Sequence, residues 1–151
     1  MKKENITVCN EVEYNTEKYW KTVALREEIL RKPLHLTFRS EEFVEEKDSF
    51  HLTCRQEGAL AACLVLKPLS GQQIRMRQLA VRTDLQGRGI GRTLVEYAES
   101  FTEQHGYREI ILHARETAVG FYEKLGYQKE GDPFIEVTIP HYLMRKILIK
   151  A

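Results

Sequence analysis

Apolar residues that recur three or four positions apart predict three helices, over residues 15–30, 90–105 and 117–125. A glycine follows each of the last two stretches and is typical of a helix end. On the first helix we expect Trp20 in the core and Arg26 on an exposed, charged face. The apolar stripes are, in chain order, Tyr19, Val23, Leu25, Ile29 and Leu30; Ile90, Leu94, Val95, Ala98 and Phe101; and Ala118, Phe121, Tyr122 and Leu125.

Strands are predicted where apolar and polar residues alternate or where a short apolar run lies between turns. Residues 50–54 and 59–66 form a hairpin around Gln56-Glu57-Gly58, and residues 74–81 and 109–113 form two more strands. Further strands are expected near residues 6–8, 127–130 and 141–148.

The order of these elements predicts a mixed α/β sheet. A β-meander precedes a strand–helix–strand unit, whose two strands should pair in parallel through a right-handed crossover. The acidic segment within residues 34–48 is compatible with either a short helix or a surface loop.

The length and the net charge of the chain limit the classes of protein to which it can belong. A chain of 151 residues predicts one domain over residues 1–151. With 23 Lys and Arg against 22 Asp and Glu, the net charge of +1 provides no field to hold nucleic acid or an anionic membrane. The longest apolar run, residues 59–66, is too short to cross a membrane, and polar sequence follows Met1. We therefore expect a cytoplasmic protein with no nucleic-acid or membrane partner.

The cysteines and histidines give no sign of a metal or redox centre. Cys9, Cys54 and Cys63 are odd in number, lie far apart and form no C-x-x-C pair, which predicts reduced, mostly buried thiols. The five histidines are scattered without metal-ligand spacing, so no metal is predicted.

Three glycines and two arginines lie where the strand at 74–81 gives way to a helix: Gly87, Arg88, Gly89, Gly91 and Arg92. Glycine lets the backbone approach a ligand closely, and unpaired first-turn amides with the helix dipole favour an anion. The pattern is typical of a diphosphate site, although a turn that merely joins strand to helix is the structural alternative. Its spacing fits neither the G-x-x-x-x-G-K-[ST] loop nor the G-x-G-x-x-G dinucleotide turn.

Two motifs carry a family resemblance. Residues 86–91, Gln-Gly-Arg-Gly-Ile-Gly, resemble the Q/R-x-x-G-x-G/A loop that binds the acyl-CoA pyrophosphate in the GNAT acetyltransferase superfamily. Residues 118–127, Ala-Val-Gly-Phe-Tyr-Glu-Lys-Leu-Gly-Tyr, are similar to the family's A-x-x-F-Y-x-x-L-G-F/Y helix. Residues 25–30 and 139–141 resemble small bacterial members.

The resemblance implies a GNAT-like acyl-CoA acyltransferase fold with a central, splayed parallel strand pair. Acetyl-CoA is the implied co-substrate, and the strand before the loop should bulge so that its backbone can bind the pantetheine amides. The residues implied in binding acetyl-CoA are Leu79, Ala80, Val81, Gln86, Gly87, Arg88, Gly89, Ile90, Gly91, Arg92, Ala118 and Phe121.

The resemblance implies that Tyr122 lies near the thiolate leaving group and acts as general acid or hydrogen-bond donor, whereas its spacing alone also fits a core aromatic. Many family members carry a carboxylate on the strand before the loop, but residues 74–81 contain none. Glu136, His141 and a water relay are the candidates for the base. The structural alternatives are a solvated strand face for Glu136 and a histidine hydrogen-bonded at a strand end for His141.

These features predict an acetyl-CoA-dependent N-acetyltransferase. A primary amine, on a small molecule, peptide or protein, would attack the thioester directly within a ternary complex. The missing strand carboxylate motivates the alternative of a non-catalytic CoA-binding sensor or partner-binding module on the same fold. Edge strands also permit a homodimer.

Overall fold

A seven-stranded mixed sheet organises the protein in a computed structural model that describes residues 6–148. The strand order is β1-β2-β3-β4-β5-β7-β6, and β4 and β5 are the one parallel pair of neighbours among these strands. The predicted mixed α/β sheet with a central parallel pair is thereby confirmed. The strands are β1 (Thr7–Val12), β2 (Phe50–Gln56), β3 (Ala59–Pro68), β4 (Gln73–Val81), β5 (Glu109–Arg115), β6 (Gln128–Glu136) and β7 (Ile139–Ile147).

The α-helices of the described segment are α1 (Glu17–Arg26), α2 (Ser40–Val44), α3 (Ile90–Gln104) and α4 (Val119–Lys124). α2 shows that the acidic segment begins as a short helix. Over residues 6–148 we find no helix with the length and apolar character that a membrane span requires.

Helices pack on both faces of the sheet. α3 buries its apolar stripe against β2 to β5 and forms the main core, in which Leu94, Val95 and Ala98 are fully buried. α1 lies on β3 and β4, where Leu25 packs against Cys63 and Ala80. This packing follows from the alternation along the strands, which directs successive side chains to opposite faces.

The first helix differs from its predicted bounds at both ends. Thr16 is the N-cap, and its hydroxyl accepts a hydrogen bond from the backbone amide of Tyr19 at 3.3 Å. The α-helical hydrogen bonding ends at Arg26, and a π-helical turn, Glu27–Arg31, continues the same path. Periodicity alone does not distinguish these two types of turn.

Two side chains of α1 reverse the burial that we predicted. Trp20 is 43% exposed and donates a hydrogen bond to Asn15 at 3.0 Å. Arg26 is fully buried, because Glu46 supplies a carboxylate next to it. Since that partner lies 20 residues away in the acidic segment, its position cannot be deduced from the periodicity of the helix.

The prediction of reduced thiols is wrong for two of the three cysteines. β1 pairs antiparallel with β2 in a register that places Cys9 opposite Cys54, and the two form a disulfide. Neither alternation nor turn signals indicate which strand pairs with β1. Cys63 is free and buried, as expected.

Candidate active site

β4 and β5 separate at the centre of the sheet. They pair only from Gln73–Met76 to Glu109–Leu112, although both strands continue beyond these residues. β4 also has one extra residue relative to β3, because Arg77 pairs with Val65 whereas Ala80 pairs with Cys63. This bulge includes Gln78, whose φ is +56°. The splayed strand pair and the bulge agree with the expected fold, and they leave the β5 side of residues 78–81 without a strand partner.

A buried polar network holds the bulge from the side of α1. Arg26 forms two hydrogen bonds with the Glu46 carboxylate, at 2.7 and 2.9 Å, and donates a third to Gln78 at 2.5 Å. The Tyr19 hydroxyl donates to the same carboxylate at 2.7 Å, and its burial raises the pKa of Tyr19, so it remains a donor. The network therefore ties α1 and the acidic segment to the most strained residue of β4.

The glycine turn follows β4 and leads into α3. Gly87 and Gly89 have φ of +79° and +82°, and a Cβ on either residue would meet no atom within 4 Å. Both therefore border open space in a conformation that favours glycine. Gly89 caps α3, which places the unpaired first-turn amides of a 15-residue helix at this turn. The local geometry thus fits an anion such as a diphosphate.

The remaining residues of the turn have different surroundings. Gln86 and Arg88 are exposed, and Gln86 donates a side-chain hydrogen bond to the carbonyl of Val81 at 3.1 Å. Arg92 pairs with Glu96 at 2.7 Å on the exposed face of α3. The side chain of Ile90 is buried in the core, so Ile90 offers a ligand only its backbone.

A cavity of about 370 Å³ lies where β4 and β5 separate. It brings together Leu79, Ala118, Phe121, Tyr122, Glu136 and His141 from the predicted site residues. Ala80, Val81 and residues 86–92 are not part of its wall, and Ala80 is buried against Leu25 on the side of α1. Gly91 connects the two regions, because a Cβ there would lie 3.5 Å from the ring of Phe121.

Tyr122 lies in the wall of this cavity and is 8% exposed. Its hydroxyl has no hydrogen-bond partner among the side chains and backbone of residues 6–148. Burial raises the pKa of Tyr122, which keeps the phenol protonated at neutral pH. The residue is thus both part of the core and a free hydrogen-bond donor at the cavity.

Glu136 faces the cavity, which argues against the solvated strand face that was its structural alternative. Side chains along β6 still alternate between two faces, but here the apolar residue is the exposed one. Ile135 is 71% exposed. One carboxylate oxygen lies 3.0 Å from His113 Nδ1 and 3.4 Å from Arg75. The contact with His113, together with the positive charge of Arg75, lowers the pKa of Glu136 to about 2. Such a carboxylate is a weak proton acceptor.

His141 is buried beside this carboxylate. Its Nδ1 lies 2.9 Å from the carbonyl oxygen of Ile139, which can only accept, so Nδ1 carries the proton. In the neutral ring Nε2 is then the basic atom, and it lies 3.8 Å from the second oxygen of Glu136. The hydrogen bond from Nδ1 to the Ile139 carbonyl fits the structural alternative, a histidine hydrogen-bonded at a strand end. It also leaves the basic Nε2 next to the negative charge of Glu136.

Several charged residues of the cavity were missed by the sequence analysis: Arg31, Glu42, Arg75, Arg77 and Arg115. Arg75 and Arg77 alternate with apolar residues, a pattern that predicts one shared face of β4. That pattern does not reveal what lies over this face, because the turn after α1 and the loop before β7 reach the cavity from distant parts of the sequence. Within residues 6–148 no group of three or more His, Cys, Asp or Glu side chains could hold a metal ion.

Solved structures share the fold over nearly the whole chain. A protein from Lactobacillus plantarum superimposes with a TM-score of 0.84, covering 96% of this chain and 100% of that one at 23% identity. An aminoglycoside 6'-N-acetyltransferase complexed with coenzyme A gives 0.79, with 95% and 98% coverage at 19% identity. The ribosomal-protein-S18-alanine N-acetyltransferase of Escherichia coli gives 0.77, with 97% and 96% coverage at 17% identity.

Curated relatives are similar over shorter segments. YyaT of Bacillus subtilis is 33% identical over 76 residues, which cover 50% of this chain and 51% of that protein. N-acetyltransferase family 8 member 2 of Rattus norvegicus is 31% identical over 85 residues, covering 54% of this chain and 38% of that protein. The chain thus matches about half of the length of these relatives or less. The sequence model of the acetyltransferase (GNAT) domain matches residues 15–148, and by that match the chain belongs to the GNAT family.

Proposed function

We propose that the protein transfers an acetyl group from acetyl-CoA to a primary amine within a ternary complex. The observation that carries this proposal is the cavity between the separated strands, which contains a protonated tyrosine and lies next to a glycine turn at a helix N-terminus. The two structural relatives whose names state an N-acetyltransferase activity support the same chemistry. A small-molecule or peptide amine is compatible with an open cavity of this size.

The glycine turn is proposed to hold the diphosphate of acetyl-CoA. The backbone amides at the start of α3 and the side chains of Arg88 and Arg92 would donate to its oxygens. The unpaired side of β4 at Leu79 and Val81 would bind the pantetheine amides. Ala118 and Phe121 would contact the same arm from α4.

The reaction is proposed to be a direct attack of the amine nitrogen on the thioester carbon. A C–N bond forms, the C–S bond breaks, and the departing sulfur receives the proton of the Tyr122 hydroxyl. The Tyr122 phenolate then regains a proton through water from the proton that the amine releases, which returns the enzyme to its starting state. The proton lost by the amine passes to His141 Nε2, directly or through water, and Glu136 stabilises the imidazolium. This arrangement compensates for the lack of a carboxylate on β4.

The first test is calorimetric titration with acetyl-CoA, followed by measurement of CoA release with a panel of amines. Gly89→Asp places a side chain and a negative charge in the proposed diphosphate site, so we expect it to abolish binding. Gly106→Asp is the matched control, because Gly106 also has a positive φ and open space but lies at the other end of α3. Equal affinity of the two folded variants would reject the proposed diphosphate site.

The amine panel separates the enzyme from the CoA-binding sensor. Saturable acetyl-CoA binding with CoA release supports the proposed transfer. Binding without release on any amine would favour the sensor, which the lack of a carboxylate on β4 motivates.

A further inference from the structure

The cavity carries an excess of positive charge. Its charged lining consists of four arginines, two glutamates and two histidines. Glu42 pairs with Arg31 at 3.0 Å and Glu136 with Arg75 at 3.4 Å, so each carboxylate already has a guanidinium partner. Two arginines of the lining are left without a carboxylate partner among the described residues.

These two arginines are Arg77 and Arg115. Arg77 makes no side-chain hydrogen bond or ion pair to residues 6–148, and its Nε is buried without a partner. Arg115 donates one hydrogen bond, to the backbone carbonyl of Leu30 at 2.6 Å. Burial, together with the nearby Arg31, lowers the pKa of Arg115.

A cavity of this kind discriminates between amines. A ligand with only ammonium groups would be repelled by the unpaired guanidiniums, whereas a carboxylate would form paired, charge-assisted hydrogen bonds with one of them. The same positive charges favour the neutral form of a nearby amine, which is the nucleophilic form. Charge therefore affects both which acceptor binds and how readily it reacts.

We propose that the acceptor carries a carboxylate close to its amine, and that Arg77, assisted by Arg115, binds this carboxylate. The inference rests on the proposed acetyl transfer and specifies its substrate class as small amino acids or peptides with a free carboxylate. Arg77 is suited to this role because it lies immediately before the bulge of β4, on the cavity that also contains Tyr122.

The test compares matched acceptors that differ only in the carboxylate. The probes are L-methionine and L-methioninamide, glycylglycine and its amide, and L-lysine and 1,5-diaminopentane. We expect kcat/KM for CoA release to be about tenfold higher or more for the carboxylate member of a reactive pair. Arg77→Gln should remove this preference by raising KM for the carboxylate acceptor, with the affinity for acetyl-CoA unchanged.

Arg55→Gln is the control variant. Arg55 is also a half-buried arginine of the sheet with unpaired buried nitrogens, but it lies on β2 outside the cavity. It should retain the preference for the carboxylate. Arg77→Lys should restore part of it, because a lysine keeps the charge without the paired geometry.

The outcomes distinguish this inference from the proposed function. Turnover of amides or diamines at rates equal to their carboxylate partners would overturn the carboxylate site and leave acetyl transfer intact. If no probe is turned over, binding of the same pairs to the protein–CoA complex is measured, and equal or absent binding of both members also overturns it. Failure to bind acetyl-CoA would instead reject the proposed function itself.

Discussion

Tyr122 belongs to both the core and the proposed catalytic site, because its ring packs in the core and its hydroxyl lies at the cavity. Tyr122→Phe keeps the ring and removes the proton that the sulfur would receive. We expect kcat to fall by about 10²–10⁴-fold while the dissociation constant of acetyl-CoA stays the same. Steady-state CoA release and calorimetry measure the two quantities.

Tyr127→Phe is the matched control for this substitution. Tyr127 is buried next to Tyr122, with ring centroids 5.7 Å apart, but its hydroxyl donates to Glu99 and it does not line the cavity. That variant should lose stability rather than turnover. An unchanged kcat in Tyr122→Phe would remove the tyrosine from the mechanism.

His141 determines the proposed pH dependence of turnover. Its Nε2 must be unprotonated to accept the amine proton, so activity should be lower in acid than at neutral pH. Glu136, with its pKa lowered to about 2, stays ionised and contributes no limb above pH 4. His141→Gln should therefore lower kcat by about 100-fold or more and remove the dependence of turnover on this group.

The control for this pH profile is His113→Gln. His113 contacts the same carboxylate and lines the same cavity, but it has no assigned proton transfer. Deprotonation of the acceptor's ammonium group also affects the pH–rate profile, but it does so equally in the wild type and in both variants. A profile of His141→Gln that matches the wild type would exclude His141 as the base.

At the scale of elements, the bulge of β4 depends on an ion pair from outside the sheet. Removing one partner of the buried Arg26–Glu46 pair leaves an unpaired buried charge, so Glu46→Leu alone should lower the free energy of unfolding by about 3–5 kcal/mol. The double variant Arg26→Met/Glu46→Leu should lose less than the sum of the single variants, because no charge remains buried. Denaturant unfolding of the four proteins measures this coupling.

An exposed ion pair provides the comparison. Glu17 and Lys21 lie four residues apart on α1, with nitrogen and oxygen 3.8 Å apart and both side chains largely in solvent. Their coupling should be within about 0.5 kcal/mol of zero. Equal coupling for the two pairs would contradict the role assigned to the buried network.

The elements themselves were largely predictable from the sequence, whereas the polar contacts between them were not. Periodicity and glycines located α3 to within a few residues, because its amphipathic stripe is long and both ends carry glycine signals. The same reasoning placed Arg26 on the surface. A charged residue within an apolar stripe is compatible with burial only if a partner is present, and that partner, Glu46, belongs to the segment with the weakest signal.

The tertiary arrangement of the whole molecule is the reason that the glycine turn and Tyr122 could be found from the sequence. Arg75, Arg77 and Arg115 could not be found in this way. The former belong to local motifs in which chain neighbours define the geometry. The latter come together only when β4, β5, β7 and β6 lie side by side in that order and the turn after α1 closes the cavity. Such a site depends on tertiary arrangement, for which one sequence contains no direct signal.

The disulfide between Cys9 and Cys54 affects the whole molecule, because it joins the edge strand β1 to the rest of the sheet. It closes a chain segment of 45 residues, for which loop-closure entropy gives a stabilisation of about 4 kcal/mol at most. Reduction, or the double variant Cys9→Ala/Cys54→Ala, should lower the free energy of unfolding accordingly. Binding of acetyl-CoA should remain, since neither cysteine lines the cavity.

Thiol titration of the denatured, non-reduced protein tests the disulfide directly. The disulfide leaves Cys63 as the one free thiol of a chain with three cysteines, so one reactive thiol is expected before reduction and three after it. The Cys9→Ala/Cys54→Ala variant serves as the control, because reductant should not change its unfolding curve. Three reactive thiols without reductant would show that the pair is reduced, and the unfolding curves of wild type with and without reductant should then coincide.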